Sequence, residues 1–300
     1  MRNAFIDELF CAAKKNSNVI LLTGDLGYGC LDKFIQDLPE QYINCGISEQ
    51  NMLSVAAGLA ISGKKVFVYS IGNFPTMRCL EQIRNDCAYH NANVNIICVG
   101  AGFSYGSLGM SHHATEDIAI MNSLPDVKIF SPSDAAQARY VFQQMMDSNG
   151  VNYVRLGKGK EKSLHHRTIE DIECICDGNQ GVLLTTGAIC EECINANEQY
   201  FQETKNKFAI YTVIKLKQID EKKIVELLEK YTKIITVEEH SIIGGLNSIV
   251  AQIVAKYGLN KKIVAVGLND TYSSVVGDQK YLRRVYNMDS GYILSKMKNY

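Results

Sequence analysis

Three loops and one pair of cysteines carry the side chains of this 300-residue sequence whose types and spacing could do chemistry. Two of the loops are glycine-rich: Gly24-Asp25-Leu26-Gly27-Tyr28-Gly29, and the stretch from Gly100-Ala101-Gly102 through Gly106 and Gly109 to His112-His113. Neither has the G-x-G-x-x-G spacing that cradles a dinucleotide, and the lysine of a phosphate-binding loop is missing. The third loop, Gly46-Ile47-Ser48-Glu49-Gln50-Asn51, puts a carboxylate in the first turn of an expected helix. The helix dipole favours negative charge there, so Glu49 reads on its own as a helix-terminal charge. The following face, Met52, Val55, Ala56 and Leu59, is apolar enough to be buried. Cys190 and Cys193 form a C-x-x-C, but Glu191 and Glu192 between them raise a thiol pKa rather than lower it. Cys174 with Cys176 has the wrong spacing for a second zinc knuckle. These cysteines read as packed or surface thiols, with a redox pair left open.

The elements that position these loops follow from the apolar pattern. Short runs rich in Val and Ile at 19–23, 65–69, 94–99, 127–130 and 152–155 read as strands. Helical patterns at 49–61, 77–90, 116–122 and 133–147 alternate with them. Ser131-Pro132-Ser133-Asp134 is a helix start, since Ser or Asp caps free amides and Pro tolerates the first turn. Residues 157–173 are rich in Lys, His and acids without apolar period, and read as a linker. Beyond them the alternation restarts, with strands at 182–185, 208–213, 233–237 and 262–266 and helices at 188–203, 221–230 and 244–256. The expected fold class is α/β, in two domains, each a mostly parallel sheet covered by helices.

Composition narrows the function classes. Thirty-one Lys+Arg against 32 Asp+Glu leave a net charge of −1, with no basic excess to neutralise nucleic acid phosphates. The longest apolar run, 53–61, is too short for a membrane span, and Asp7 and Glu8 interrupt any signal-peptide pattern. Ten cysteines in such a chain suit reduced thiols and a cytoplasmic setting.

A resemblance joins these features. Gly46-Ile47-Ser48-Glu49-Gln50-Asn51-Met52 followed by Ala56-Ala57-Gly58-Leu59-Ala60 resembles the Glu-bearing motif in the pyrimidine-binding domain of transketolases and deoxyxylulose-phosphate synthases. The likeness continues through Arg78, Glu81-Gln82-Ile83-Arg84, Gly109-Met110-Ser111-His112-His113, Glu116-Asp117, Ser131 to Asp134 and Tyr153-Val154-Arg155. Leu183, Thr185-Thr186-Gly187 and Thr236 to Ser241 before Gly244-Gly245 resemble the C-terminal domain of the same family. It implies a pyrimidine-binding domain over 1–158, a linker over 159–174 and a transketolase C-terminal-like domain over 175–300.

The resemblance implies thiamine diphosphate chemistry. Glu49 would hydrogen-bond the far ring nitrogen of the cofactor's aminopyrimidine and favour its imino tautomer, the base that activates the thiazolium. Phe74, Gln82 and Asp25 would contact the cofactor; His112 would meet the donor's hydroxyl groups, with His113 supporting it. Arg155, and with it Arg2, would reach toward a substrate phosphate. Leu108 stands where transketolases carry an Asp, and Gly100-Ala101 replace a His or Arg, which points to a sugar unlike the usual pentose phosphates.

The Gly-Asp-Gly motif and downstream Asn that hold the diphosphate's metal are absent. Thiamine diphosphate with Mg2+ or Ca2+ is therefore expected to be shared with a separate N-terminal transketolase-like subunit, in an α2β2 assembly, with no metal ligands on this chain. The rival readings are the beta chain of a 2-oxo acid dehydrogenase and a non-catalytic scaffold chain.

Overall fold

In the computed structural model, which describes residues 1–159 and 161–300, the chain forms two α/β units. The first contains α1 (Arg2–Lys15), β1 (Val19–Thr23), α2 (Asp32–Asp37), β2 (Tyr42–Asn44), α3 (Glu49–Ile61), β3 (Lys65–Ile71) and α4 (Leu80–Gln82). It continues with β4 (Val94–Val99), α5 (Asp117–Asn122), β5 (Lys128–Phe130), α6 (Ala135–Asp147) and β6 (Asn152–Leu156). Its strands lie in the order β2-β1-β3-β4-β6-β5, every pair parallel. Residues of β1, β4 and β6 are buried on both faces, as continuous apolar strands require. One face packs against α3 and α5, the other against α1 and α6, where Phe5 meets Phe142 edge-on at 5.3 Å. Asp134 starts α6 by accepting the Gln137 amide at 2.9 Å, while Gln137 Oε1 accepts the Ser133 amide at 2.8 Å.

The helix expected over 77–90 is wound differently. A 3-10 turn (Met77–Cys79) leads into α4, and a π-wound turn covers Ile83–Ala88. Cys79, Ile83 and Cys87, all fully buried, recur every four residues. A spacing of four drifts off the 3.6-residue α-helix, and looser winding keeps all three toward the sheet.

The second unit contains β7 (Ile172–Cys176), β8 (Val182–Thr186), α7 (Cys190–Thr204), β9 (Ala209–Val213), α8 (Glu221–Lys230), β10 (Ile234–Ser241), α9 (Leu246–Lys256) and β11 (Ile263–Leu268). Two helices, α10 (Gln279–Val285) and α11 (Ser290–Lys298), close it. The strand order is β11-β10-β8-β9-β7, parallel except for β7, which runs antiparallel to β9. β7 begins within the stretch expected as linker. The alternation of two α/β units was thus legible, and the antiparallel edge makes the second sheet mixed.

The units share their cores. One apolar cluster runs from Ile118, Met121 and Leu124 to Leu216, Leu227 and Leu246. Phe103 of the first unit lies, fully buried, among Leu183, Ile235, Leu282 and Met288 of the second. No helix among the described residues is long and apolar enough to cross a membrane.

Candidate active site

Open parallel sheets place their ligands beyond the carboxyl ends of the strands. Here the loops after β1, β2, β3 and β4, four neighbouring strands, bring Asp25, Glu49, Phe74 and His112 to that end of the first sheet. Glu49 is the first residue of α3 and is 6% exposed. Its Oε1 accepts Nη1 of Arg78 at 3.3 Å. The same guanidinium lies over the Phe74 ring, 4.0 Å from its centroid. A flat cation is therefore held between a carboxylate and an aromatic face. A cleft of about 540 Å³, lined by Ile47, Ser48, Glu49, Gln50, Asn51 and Arg78, opens beside it.

His112 lies beside Phe74, its ring 5.3 Å from the Phe74 ring in an edge-on contact. Its Nδ1 is 3.0 Å from Ser111 Oγ, which leaves Nε2 as the free nitrogen. Its neighbour His113 is buried, with Nε2 3.3 Å from the Gly106 carbonyl and its ring edge-on to Phe103 at 5.1 Å. Burial lowers the pKa of His113 and keeps its ring neutral. The adjacent histidines thus part company: His112 is half-exposed beside Phe74, and His113 braces the loop.

Beyond His112 lie residues that the motifs did not single out. The Tyr105 ring is 6.5 Å from that of His112, and Lys158 Nζ sits 4.6 Å above the Tyr105 ring. A side chain at Gly100, whose φ is +100°, would strike the Tyr105 ring at 2.3 Å. Tyr105 therefore fills the space that a side chain at position 100 would need. Burial raises the Tyr105 hydroxyl pKa, and the nearby Arg2 charge opposes that shift. Arg2 acts likewise on Tyr69, so its charge lies near this part of the site, and Lys158 lies over the Tyr105 ring. The signal available in the sequence was the Lys158-Gly159 pair directly after β6, which reads there as linker.

Asp25 and Gln82 sit at the edge of this group. Asp25 Oδ1 accepts Asn44 Nδ2 at 3.0 Å and the Tyr28 hydroxyl at 3.1 Å, so its carboxylate locks its own loop. Gln82 is half-buried one helical turn beyond Arg78, and its Oε1 is buried without a hydrogen-bond partner.

Arg155 requires a correction. It is 2% exposed, and its guanidinium is bound to Asp117 at 2.8 Å through Nε and 3.2 Å through Nη2. Nη2 also donates to the Ala114 carbonyl at 2.8 Å and the Glu239 carbonyl at 3.4 Å. A guanidinium spent in this way is not presented to a sugar phosphate; it fastens the two units together. Cys190 and Cys193 lie in the second core, where burial pushes the Cys193 thiol up to about 12 and Cys190 upward too. Such thiols are inert. A second cleft, lined by Arg84, Tyr89, His90, Pro125 and Asp126, sits at the amino ends of β4 and β5, away from this site.

The family model for the transketolase pyrimidine-binding domain matches residues 1–162. This chain belongs to the transketolase family. The transketolase C-terminal domain model matches residues 170–290. The chain is 33% identical to a putative transketolase C-terminal section of Methanocaldococcus jannaschii, over 99% of this chain and 95% of that protein. It is 32% identical to one of the apulose-4-phosphate transketolase subunits of Phocaeicola vulgatus, over 88% and 86% of the two chains. Its fold superposes with a TM-score of 0.86 on a split-gene transketolase solved as an inactive β4 tetramer, at 29% identity over 99% and 96% of the chains. The transketolase-like subunit expected from the motifs, of the split kind, is what these relatives show.

Proposed function

We propose that this chain supplies the aminopyrimidine half of a thiamine diphosphate site and, joined to a separate N-terminal subunit, transfers a two-carbon ketol unit between sugars. The observation that carries the reading is the Glu49–Arg78–Phe74 stack. Arg78, a flat group bearing N–H donors, occupies the geometry an aminopyrimidine needs, between a buried carboxylate and an aromatic face. These residues fit the heterocycle. The diphosphate and its Mg2+ or Ca2+ are assigned to the partner because this sequence lacks the family's Gly-Asp-Gly and Asn ligands. Two copies of each chain, an α2β2 assembly, would close the arrangement with twofold symmetry. Ten free thiols accord with a cytoplasmic setting.

When bound, thiamine diphosphate supplies a nucleophilic carbon and an electron sink. Glu49 would hydrogen-bond the far ring nitrogen of the aminopyrimidine and hold a proton there. Phe74 orients that ring by stacking, with Gln82 and Asp25 at its margins. His112, its Nδ1 engaged by Ser111, would turn Nε2 toward a donor hydroxyl. Lys158, over the Tyr105 ring, and Arg2, whose charge is felt by Tyr105, would receive an anionic end of the sugar. Leu108, 53% exposed, offers that sugar no hydroxyl contact where the family has an Asp. This favours a substrate other than the usual pentose phosphates, as the apulose-4-phosphate relative illustrates for its own chain.

Glu49→Gln keeps the shape of the side chain and removes its charge. Assembled with the partner subunit, it should lose ketol transfer by about 100-fold or more. Turnover near that of the wild type would overturn the reading, and pyruvate decarboxylation without ketol transfer would favour a 2-oxo acid enzyme.

A further inference from the structure

His112 is carried on a closed loop whose base is gripped from both units. Gly102 and Ala114 exchange two backbone hydrogen bonds, each 3.0 Å, and pinch residues 102–114 into an Ω-shaped loop. On the Ala114 side, Arg155 donates to the Ala114 carbonyl, and Asn73 Nδ2 donates to the carbonyl of His113. On the Gly102 side the grip comes from the second unit. Glu239, at the end of β10 and 5% exposed, accepts the Phe103 amide at 2.6 Å. The contact is close enough that a Cβ on Gly102 would lie 2.5 Å from the Glu239 carboxylate, and Gly102 holds a φ of +59°.

Glu239 is itself aimed. Arg283 binds it through Nε at 2.6 Å and Nη2 at 2.5 Å, and Gln279 Nε2 donates to it at 2.8 Å. Arg283 also pairs with Glu192 on α7 at 3.3 Å, and Glu192 accepts the Ser290 amide at the start of α11 at 2.9 Å. Two residues of α10 thus hold the Glu239 carboxylate, α7 and α11 brace Arg283 behind them through Glu192, and the carboxylate holds one amide of the other unit. The Phe103 side chain follows its amide into the second core, stacked on Tyr286 at 5.5 Å. Farther along, the Gly106 carbonyl meets the Gly277 amide at 3.4 Å.

We infer that the C-terminal unit is a positioning element for the reaction: Glu239, oriented by Arg283 and Gln279, fixes the base of the loop that presents His112 to the donor. This rests on the reading of His112 given under Proposed function. Glu239 is 136 residues from Phe103 in sequence, stands on β10 of the second sheet and is 5% exposed, its carboxylate bound to the Phe103 amide, Gln279 and Arg283, so it acts through the loop.

The test uses Glu239→Gln and the milder Gln279→Ala, each assembled with the partner subunit, in native and His112→Ala backgrounds. Glu239→Gln should speed amide exchange across 102–114 about tenfold and raise donor KM by a similar factor, since a loop freed at its base samples open states. Thiamine diphosphate affinity should stay within about twofold, because Glu49 is held by other elements. Gln279→Ala should do the same to a smaller degree, about twofold. With His112→Ala present, Glu239→Gln should cost nothing further in donor KM, since one residue acts through the other. Unchanged loop exchange in both variants, fully additive effects with His112→Ala, or an equal loss of cofactor affinity would overturn the proposal. A His112→Ala enzyme with native donor KM would instead defeat the reading of His112, while faster loop exchange in Glu239→Gln would still uphold the grip.

Discussion

At the carboxyl ends of β2 and β3 the chain leaves a cleft; at the carboxyl end of β10, in the second sheet, the first unit covers the acids instead. Both ends carry acids. In the first sheet Glu49 stands beside solvent with a half-exposed arginine 3.3 Å away. In the second, Glu238, Glu239 and His240 are at most 5% exposed and packed against the first unit. Burial drives the His240 ring down to about 4, so it stays neutral. It pushes Glu238 up to about 7, although Glu238 accepts the Leu246 and Asn247 amides at 2.6 and 2.8 Å. The same topology therefore serves as a site where its loops part, and as a joint where another domain covers them.

The sharpest way to break that comparison is Arg155, which the joint claims and the site does not. Arg155→Ala strands Asp117, which is fully buried and also receives the Tyr153 hydroxyl. Leaving one charge of such a pair buried costs about 3–5 kcal/mol. Urea denaturation of the assembled enzyme should show that loss, and replacing both residues together (Arg155→Met with Asp117→Leu) should recover most of it. A variant as stable as wild type with a raised donor KM would return Arg155 to the substrate. Phe103→Ala comes next. Its ring fills the second core, so about 3 kcal/mol should go, with the loss confined to contacts between the units. Thermal unfolding that splits into two transitions in this variant, and stays single in the wild type, would mark Phe103 as a tie between them.

These two residues show where sequence reading stops. The placement of the Glu49 and His112 loops was legible because strand-ending loops and helix starts are local patterns, and the carboxyl-end rule puts those loops together; their roles rest on the family motif. Arg155 was not, since an arginine at a strand end reads the same whether it meets solvent or an acid 38 positions away. Tyr105 and Lys158 were missed for a related reason: their contact joins two loops with no shared motif. The antiparallel β7 was hidden by the charged, aperiodic residues before it. The π-wound turn after α4 could have been read from the spacing of Cys79, Ile83 and Cys87.

A pH experiment probes the joint more gently. His166 bridges Asp134 Oδ2 at 2.8 Å and Glu173 Oε1 at 2.7 Å, carboxylates that are both 1% exposed. Burial lowers its pKa, but hydrogen bonds to Asp134 and Glu173 outweigh that and raise it above the ordinary value. A raised folded pKa stabilises fully below the unfolded value, near pH 6.5, and its contribution fades as pH rises through the folded value. His166→Asn should therefore be less stable than wild type by about 2 kcal/mol near pH 6. The gap should shrink steadily at higher pH. Urea midpoints measured from pH 6 to 9 check this, and a gap that widens with pH would contradict a protonated bridge.

The smallest effect is expected at the rim of the cleft, and it sharpens the site rather than the joint. Lys158 is exposed, with its Nζ above the Tyr105 ring. Lys158→Ala should leave stability unchanged and raise KM for a phosphorylated donor by about threefold to tenfold, the scale of one partly solvated charge contact. KM for the same sugar without its phosphate should not move. Arg2→Ala should act on the same donor, and the double variant should exceed either alone if both cations hold one anion. Equal effects on charged and uncharged sugars would mean that Lys158 only steadies Tyr105. The anion would then have to be met by the partner subunit, which would make the first sheet, like the second, half of a joint.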